Sequence, residues 1–279
     1  MRELLKKLRD ALRPIYGNGE TEAIIRIMFH YLKGWNTVDL LVHEQDEASP
    51  FLQSEAEGIL SRLLKHEPIQ YITGEARFHG LELKVTPDVL IPRPETSELV
   101  DIICDESGGR EDLQVLDLCT GSGCIAVALA RCLKFPEITA VDVSEPALKV
   151  AKENADSLNT KVTLVKADIF SWTPSEEFDI IVSNPPYIDE SEKNGMDDNV
   201  LGYEPHQALF VPDDNPLMFY KRIAGIAADC LAEGGRLYLE INPRHAEELR
   251  RLLVSKGFDN VEVRKDSFDR QRFITASKN

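Results

Sequence analysis

Val115-Leu116-Asp117-Leu118, running into Cys119-Thr120-Gly121-Ser122-Gly123 and then a helical stretch from Cys124 to Leu133, is the segment whose reading decides the fold. An apolar strand, a loop of small residues and a helix form the opening unit of an open α/β sheet. In that unit the backbone at the helix start approaches a ligand at the carboxyl end of the strand. The same grammar repeats outward from this point. Strands are predicted at Gln114 to Leu118, Ile138 to Val143, Val162 to Ala167, Asp179 to Ser183 and Arg236 to Ile241. Helices are predicted at Cys124 to Leu133, Pro146 to Leu158, Leu217 to Leu231 and Pro243 to Lys256. Such alternation makes a parallel sheet with helices on both faces, and Val261 to Arg264 with Arg272 to Ala276 closes it as a hairpin.

Residues 1 to 75 read differently, as helices alone. Leu4, Leu5, Leu8 and Leu12 give one apolar stripe ending at Pro14, and Ile24, Ile27, Met28, Tyr31 and Leu32 give a second ending at Gly34. A short helix follows from Val38 to Val42, and Ser49-Pro50 reads as a cap plus first-position proline opening another. Between Gly74 and Pro92 the style changes: Leu81-Glu82-Leu83-Lys84-Val85 is strand-like, so residues 76 to 91 are predicted to form a hairpin linker. Pro94-Glu95-Thr96-Ser97-Glu98 then starts a helix with an acidic first turn, which suits the helix dipole.

Composition narrows the function. The 279 residues are 43% hydrophobic with a formal net charge of −16, which argues against sequence-independent grip on nucleic acid, since that needs clustered Lys and Arg. Five cysteines without a C-x-x-C pair and six scattered histidines indicate neither a disulfide framework nor a metal site, so the cysteines read as small buried hydrophobes. The amino terminus is amphipathic and lacks a signal-peptide core, and no apolar run spans a bilayer. A cytoplasmic protein, monomeric and without membrane contact, is expected.

The chemistry concentrates at strand ends. Asp142 lies 21 residues past Gly121, and Gly121, Gly123 and Ala126 satisfy G-x-G-x-x-A, which a dinucleotide site would also show. Charge separates the two readings. A pyrophosphate beside Asp117 is repelled, whereas the ammonium and sulfonium of S-adenosylmethionine are attracted. Asp142 is then placed on the ribose hydroxyls, Asp168 on the adenine amine, and Ile169 over the ring. At the fourth strand end stands Ser183-Asn184-Pro185-Pro186-Tyr187. Proline cannot donate to a ladder, so this rim is stiff and presents bare carbonyls. Asn184 Oδ1 and the Pro185 carbonyl can take the two hydrogens of a planar NH2 group, with the Tyr187 ring against its plane. Two acceptors on those N–H bonds return electron density to a delocalised nitrogen and aim it at an electrophile.

Asp117 to Gly123, Asp142, Asp168 and Asn184 to Tyr187 resemble the motif set of S-adenosylmethionine-dependent amino-methyltransferases. More narrowly, Pro68-Ile69-Gln70-Tyr71, Gly74-Glu75, Ile91-Pro92-Arg93-Pro94-Glu95-Thr96, Asn184-Pro185-Pro186-Tyr187-Ile188 and Tyr203-Glu204-Pro205 resemble the HemK-type glutamine methyltransferases of peptide chain release factors. The resemblance covers nearly the whole chain. It implies a Rossmann-like, seven-stranded methyltransferase sheet over residues 92–279, joined by the hairpin to a small helical domain that docks the release factor. It implies methylation of the glutamine side-chain amide in the Gly-Gly-Gln tripeptide. Asn184, Pro185, Pro186 and Tyr187 would hold the substrate, and Asp117, Cys119, Thr120, Gly121, Ser122, Gly123, Asp142, Asp168, Ile169 and Asn184 the cofactor. The chain departs from the family pattern at Cys119, where glycine is usual, at Ser97, where an acidic residue is common, and at Asn242, where glycine often follows Leu-Glu-Ile. Cys119 is expected to keep an ordinary backbone, because a positive φ there would cost about 1 kcal/mol.

Residues 188 to 216 are polar and too long for a plain connection; they read as a mobile loop or as a lid over the substrate. Two rival functions remain. An adenine amine flipped from a nucleic acid fits the same cradle, and a non-catalytic cofactor-binding module would share the glycine loop.

Overall fold

A computed structural model describes all residues, Met1–Asn279. They divide into two compact units, Met1–Glu75 with Asp197–Tyr203, and Ala76–Met196 with Glu204–Asn279. No helix is long and apolar enough to cross a membrane.

In the first unit, α1 (Arg2–Lys33), α2 (Thr37–Val42), α3 (Pro50–Leu63) and α4 (Ile69–Thr73) surround one core. Leu4, Leu5, Leu8, Leu12, Ile25, Met28 and Phe29 from α1 pack there with Leu52, Ala56, Ile59 and Leu63 from α3. Pro14 does not end the first helix. The helix passes through it and breaks at Gly17, which adopts φ 69° and ψ −179°. A proline near a helix end forfeits one hydrogen bond, whereas these dihedrals are open only to glycine, so the break falls on the residue that can take it. Gly34 ends α1 in the left-handed conformation, and Ser49 Oγ accepts from Leu52 N to cap α3.

The second unit opens with the hairpin β1 (Glu75–Phe78) and β2 (Leu81–Lys84), followed by α5 (Pro94–Glu106). Then β3 (Gln114–Leu118), α6 (Cys124–Cys132), β4 (Glu137–Asp142), α7 (Glu145–Ser157), β5 (Val162–Lys166) and β6 (Phe178–Ser183) alternate. After β6 come the short β7 (Ile188–Asp189) and β8 (Phe210–Val211); α8 (Asp198–Tyr203), between them in the chain, belongs to the first unit. The chain finishes with α9 (Met218–Cys230), β9 (Leu231–Glu240), α10 (Ala246–Ser255), β10 (Asp259–Lys265) and β11 (Gln271–Ser277). Seven strands form one sheet in the order β10-β11-β9-β6-β3-β4-β5. From β9 to β5 all neighbours are parallel, and β11 and β10 add antiparallel at the edge.

Because the central strands are covered on both faces, their residues are apolar on both. Leu116, Leu118, Ile181, Leu237 and Leu239 pack against Tyr220, Ile223, Ala227, Leu249 and Leu253 of α9 and α10. On the opposite face Val115, Ile180, Val182 and Tyr238 meet Leu99, Val100 and Ile103 of α5 and Ile125, Ala128 and Leu129 of α6; Phe78 and Leu83 of the hairpin join this core.

Two expectations change. Cys104 of α5 and Cys132 of α6 are paired as a disulfide with Cα atoms 6.3 Å apart. Packing of two helices, rather than sequence spacing, brings them together. Residues 188–216 are not a bare loop either: β7 and β8 pair in parallel, Ile188 with Phe210 and Asp189 with Val211, and helical turns fill the span between them.

Candidate active site

From β3 the sheet grows outward through β4 and β5, then the chain returns to lay β6 on the other side of β3. A crevice beyond the carboxyl ends of the strands at such a reversal is where ligands bind in open α/β sheets. Leu118 is in register with Val141 on β4 and Ser183 on β6, so three strand ends stop at one level. A cavity of about 300 Å³ opens there, within the range of small-ligand pockets. Its walls include Cys119 to Ser122 after β3, Asp142 to Ser144 after β4, Ala167 to Phe170 after β5, and Asn184 and Pro186 after β6.

The loop after β3 departs from expectation at Cys119, whose φ is +62°. This left-handed turn sends Thr120 N–H to the Val141 carbonyl (3.0 Å) and Gly121 N–H to Asp142 Oδ2 (2.9 Å). Those bonds offset a backbone cost of about 1 kcal/mol. Burial and the nearby aspartates push the Cys119 thiol far up, and burial takes Cys124 to about 12, so neither is a thiolate at neutral pH. Gly121 borders the cavity. Gly123 does not: a Cβ there would lie 3.0 Å from Ala151 Cβ, so this glycine lets α6 approach α7.

Asp117 also stands apart from the rim. It is wholly buried, one carboxylate oxygen accepts from Thr120 Oγ1 at 2.6 Å, and the other has no partner. Burial, with the Asp142 charge adding and the Thr120 bond opposing, lifts it from 3.8 to about 7. The folded chain therefore holds this proton more tightly than the unfolded chain. The stability that the protonated form contributes is complete below about pH 4 and is lost as pH rises through about 7, roughly 4 kcal/mol in all. Asp117→Asn should flatten the fall in melting temperature between about pH 4 and pH 7. An equally steep fall in both proteins would contradict this.

Asp142 and Asp168 do border the cavity. Asp142 accepts from Gly121 N and Ser144 N, each at 2.9 Å, and burial raises its pKa while these donors pull it down. Its carboxylate keeps lone pairs for a ligand. Asp168 Oδ1 accepts from Phe170 N at 2.9 Å, fixing the turn that carries Ile169. Arg222 of α9 donates to the Ile169 and Trp172 carbonyls at 2.5 and 2.6 Å, and the rings of Phe170 and Phe219 meet edge-on at 5.1 Å on the cavity wall.

At the fourth strand end, Asn184 Nδ2 donates to Thr96 Oγ1 at 3.1 Å, and neither Asn184 Oδ1 nor the Pro185 carbonyl receives a hydrogen bond from the protein. Pro186 borders the cavity, whereas Pro185 and Tyr187 do not. Tyr187 is tied inward instead. Its hydroxyl donates to Glu240 Oε1 at 2.9 Å, and its carbonyl accepts from Asn242 Nδ2 at 3.0 Å. Burial and the Glu240 charge hold this phenol well above its ordinary range.

Sequence reading gave no role to Thr96, Glu240, Phe219, Arg93 or Glu204. The Glu204 carboxylate, buried, accepts from Arg93 Nη2 at 2.5 Å and Ile91 N at 3.2 Å, and so pins the stretch whose Pro205, Gln207 and Ala208 complete the wall. The signal was present: Ile91-Pro92-Arg93 and Tyr203-Glu204-Pro205 are oppositely charged motifs with no local reason to exist.

S-adenosylmethionine fits these walls. A carboxylate at the second strand end suits a ribose diol, an aromatic and aliphatic wall past the third suits a flat base, and turned backbone after the first admits close approach. Comparison with known proteins agrees. A profile of the methyltransferase small domain matches residues 97–200, and one of the PrmC N-terminal domain matches residues 3–74. A release factor glutamine methyltransferase from Bacteroides thetaiotaomicron is 42% identical over 280 residues, covering 100% of both chains. One from Flavobacterium psychrophilum is 40% identical over 95% of this chain and 94% of its own. Among solved structures, a methyltransferase from Pyrococcus furiosus shares the fold with a TM-score of 0.54 at 18% identity, covering 80% of this chain and 99% of that one. With a site of this composition at the sheet's reversal point and full-length relatives at this identity, the chain belongs to the release factor glutamine methyltransferase family.

Proposed function

We propose that the chain transfers a methyl group from S-adenosylmethionine to the side-chain amide nitrogen of the glutamine in the Gly-Gly-Gln motif of peptide chain release factors. Family membership supports the reaction. The observation that carries the site is the unengaged pair of acceptors, Oδ1 of Asn184, which borders the cavity, and the carbonyl of the next residue, Pro185. When bound, the cofactor supplies an electrophilic methyl group on a positively charged sulfur. The protein's part is to bind and to aim. Asn184 and Pro185 hold the two amide hydrogens, Pro186 stiffens the rim, and Tyr187 fixes its far end. The amide nitrogen would take that methyl group, the bonding pair would stay on sulfur, and the nitrogen would lose one proton to water. The acceptors concentrate charge on nitrogen without a strong base, so rate comes from orientation and electrostatics.

For the cofactor, Asp142 takes the ribose hydroxyls, Asp168 and Ile169 take the base, and Cys119 to Ser122 offer backbone. Asp117 acts at one remove, through Thr120. The helical unit, residues 1–75, docks the release factor, residues 76–91 link it, and residues 92–279 carry the chemistry in a cytoplasmic monomer acting on translation termination. Incubation with labelled S-adenosylmethionine and unmethylated release factor should place the label on the glutamine amide. Label appearing on DNA or RNA instead would favour the adenine reading, and transfer to neither would favour a binding module.

A further inference from the structure

An asparagine that grips an amide has a weakness built into its symmetry. A half-turn about its last bond exchanges the acceptor oxygen for an NH2 group of nearly the same shape, and the grip becomes a clash of donors. On the reading that Asn184 Oδ1 takes a hydrogen of the acceptor amide, something must forbid that half-turn. Three buried or half-buried groups meet behind Asn184. Asn184 Nδ2 lies 3.1 Å from Thr96 Oγ1, Thr96 Oγ1 lies 2.6 Å from Glu240 Oε2, and the other oxygen, Oε1, lies 2.9 Å from the Tyr187 hydroxyl. Thr96 and Glu240 are each 1% exposed.

Proton bookkeeping fixes the directions. Glu240 as a carboxylate accepts only, so both hydroxyls must donate to it. Thr96 has a single hydroxyl proton and has spent it on Glu240. It can offer Asn184 only lone pairs, which accept from NH2 and repel Oδ1. The two ends of Asn184-Pro185-Pro186-Tyr187 thus hang from one carboxylate, Tyr187 directly and Asn184 through Thr96. Burial raises the Glu240 pKa, and the Thr96 and Tyr187 hydroxyls oppose that rise by favouring the charged form, as does the positive field of Arg272 on β11, whose Phe273 neighbour pairs with Glu240.

We propose that Thr96 and Glu240 are positioning residues, a two-step relay that locks the Asn184 amide with Oδ1 toward the acceptor nitrogen and holds the rim at its tyrosine end. Neither touches the reacting atoms. Glu240 fixes the direction of the Thr96 hydroxyl, and Thr96 passes that constraint to the Asn184 amide. The role explains why a carboxylate is kept in a dry site at the end of β9, where it does nothing else.

The test uses Thr96, because valine matches threonine in shape while deleting the hydroxyl, and serine keeps the hydroxyl. With release factor and labelled S-adenosylmethionine, Thr96→Val should lower kcat by roughly tenfold to a hundredfold, since the freed amide turns its NH2 outward. Its cofactor dissociation constant should stay near that of the unaltered chain, and Thr96→Ser should recover most of the lost rate. Glu240→Gln, which has one acceptor for two hydroxyls, should lower kcat in the same direction if it folds. A Thr96→Val enzyme with unaltered kcat, or a Thr96→Ser enzyme as slow as the valine variant, would overturn the relay. Failure of the unaltered chain to methylate the release factor would instead overturn the reading of Asn184 and the relay with it. The unaltered chain therefore tells the two failures apart.

Discussion

Asn184→Ala should lower the rate of methyl transfer to a release factor by roughly a hundredfold to a thousandfold, the loss usual when one preorganised hydrogen-bonding group is removed from a developing charge. Alanine takes away the only side-chain acceptor of the proposed cradle and leaves the Pro185 carbonyl alone. An amide held by one hydrogen can swing, and its lone pair no longer stays in line with the methyl group. Binding of S-adenosylmethionine should change little, because its proposed contacts rest chiefly on the loops after β3, β4 and β5. The pattern that checks this is a fall in kcat with an almost constant cofactor dissociation constant. A variant with near-normal kcat would remove Asn184 from the mechanism.

Asp142→Ala should show the opposite pattern, weakening cofactor binding by about a hundredfold with a modest effect on kcat at saturating cofactor. Two charge-assisted hydrogen bonds to a ribose diol are worth about 3 kcal/mol together, which is a factor of that size. The same substitution strips Gly121 N–H and Ser144 N–H of their acceptor, so the loop after β3 loosens as well. Titration calorimetry with S-adenosylmethionine measures it directly. An unchanged dissociation constant would mean that the carboxylate serves the loop and not the ligand.

The order of elements in the second unit was legible because strand and helix periods alternate there from Gln114 to Ser183 and again from Met218 onward, the elements between Ile188 and Val211 being too short to show a period. Which residues face the cavity was much less so. Asp117 is the penultimate residue of β3, whereas Asp142 ends β4 and Asp168 lies just past β5; β3 is central, with β4 and β6 on its sides and helices on both faces, and Asp117 is sealed in while the other two reach the rim. A sequence lists strand ends but does not rank them from centre to edge. Cys119 shows the same gap in another form. Its positive φ is imposed by hydrogen bonds to Val141 and Asp142, residues on the next strand, so local preference alone pointed the wrong way.

Glu240 was within reach of the argument that found the aspartates, being an acid at a strand's carboxyl end beside β6. What hid it was its partner, Thr96, 144 positions away and brought close only by the packing of α5 on the sheet. Tyr187 was expected as a flat surface for the acceptor amide, and nothing in the sequence signalled that its hydroxyl would also anchor the rim to Glu240. Gly123 was read as a ligand-facing glycine, and it instead admits a neighbouring helix.

A crystal structure of the protein with S-adenosylhomocysteine and a Gly-Gly-Gln peptide bears most directly on the central claim. The glutamine amide nitrogen should lie within hydrogen-bond distance of both Asn184 Oδ1 and the Pro185 carbonyl, facing the sulfur across the cavity mouth. A peptide seated with its glutamine away from these two oxygens, or an Asn184 turned to present Nδ2, would contradict it.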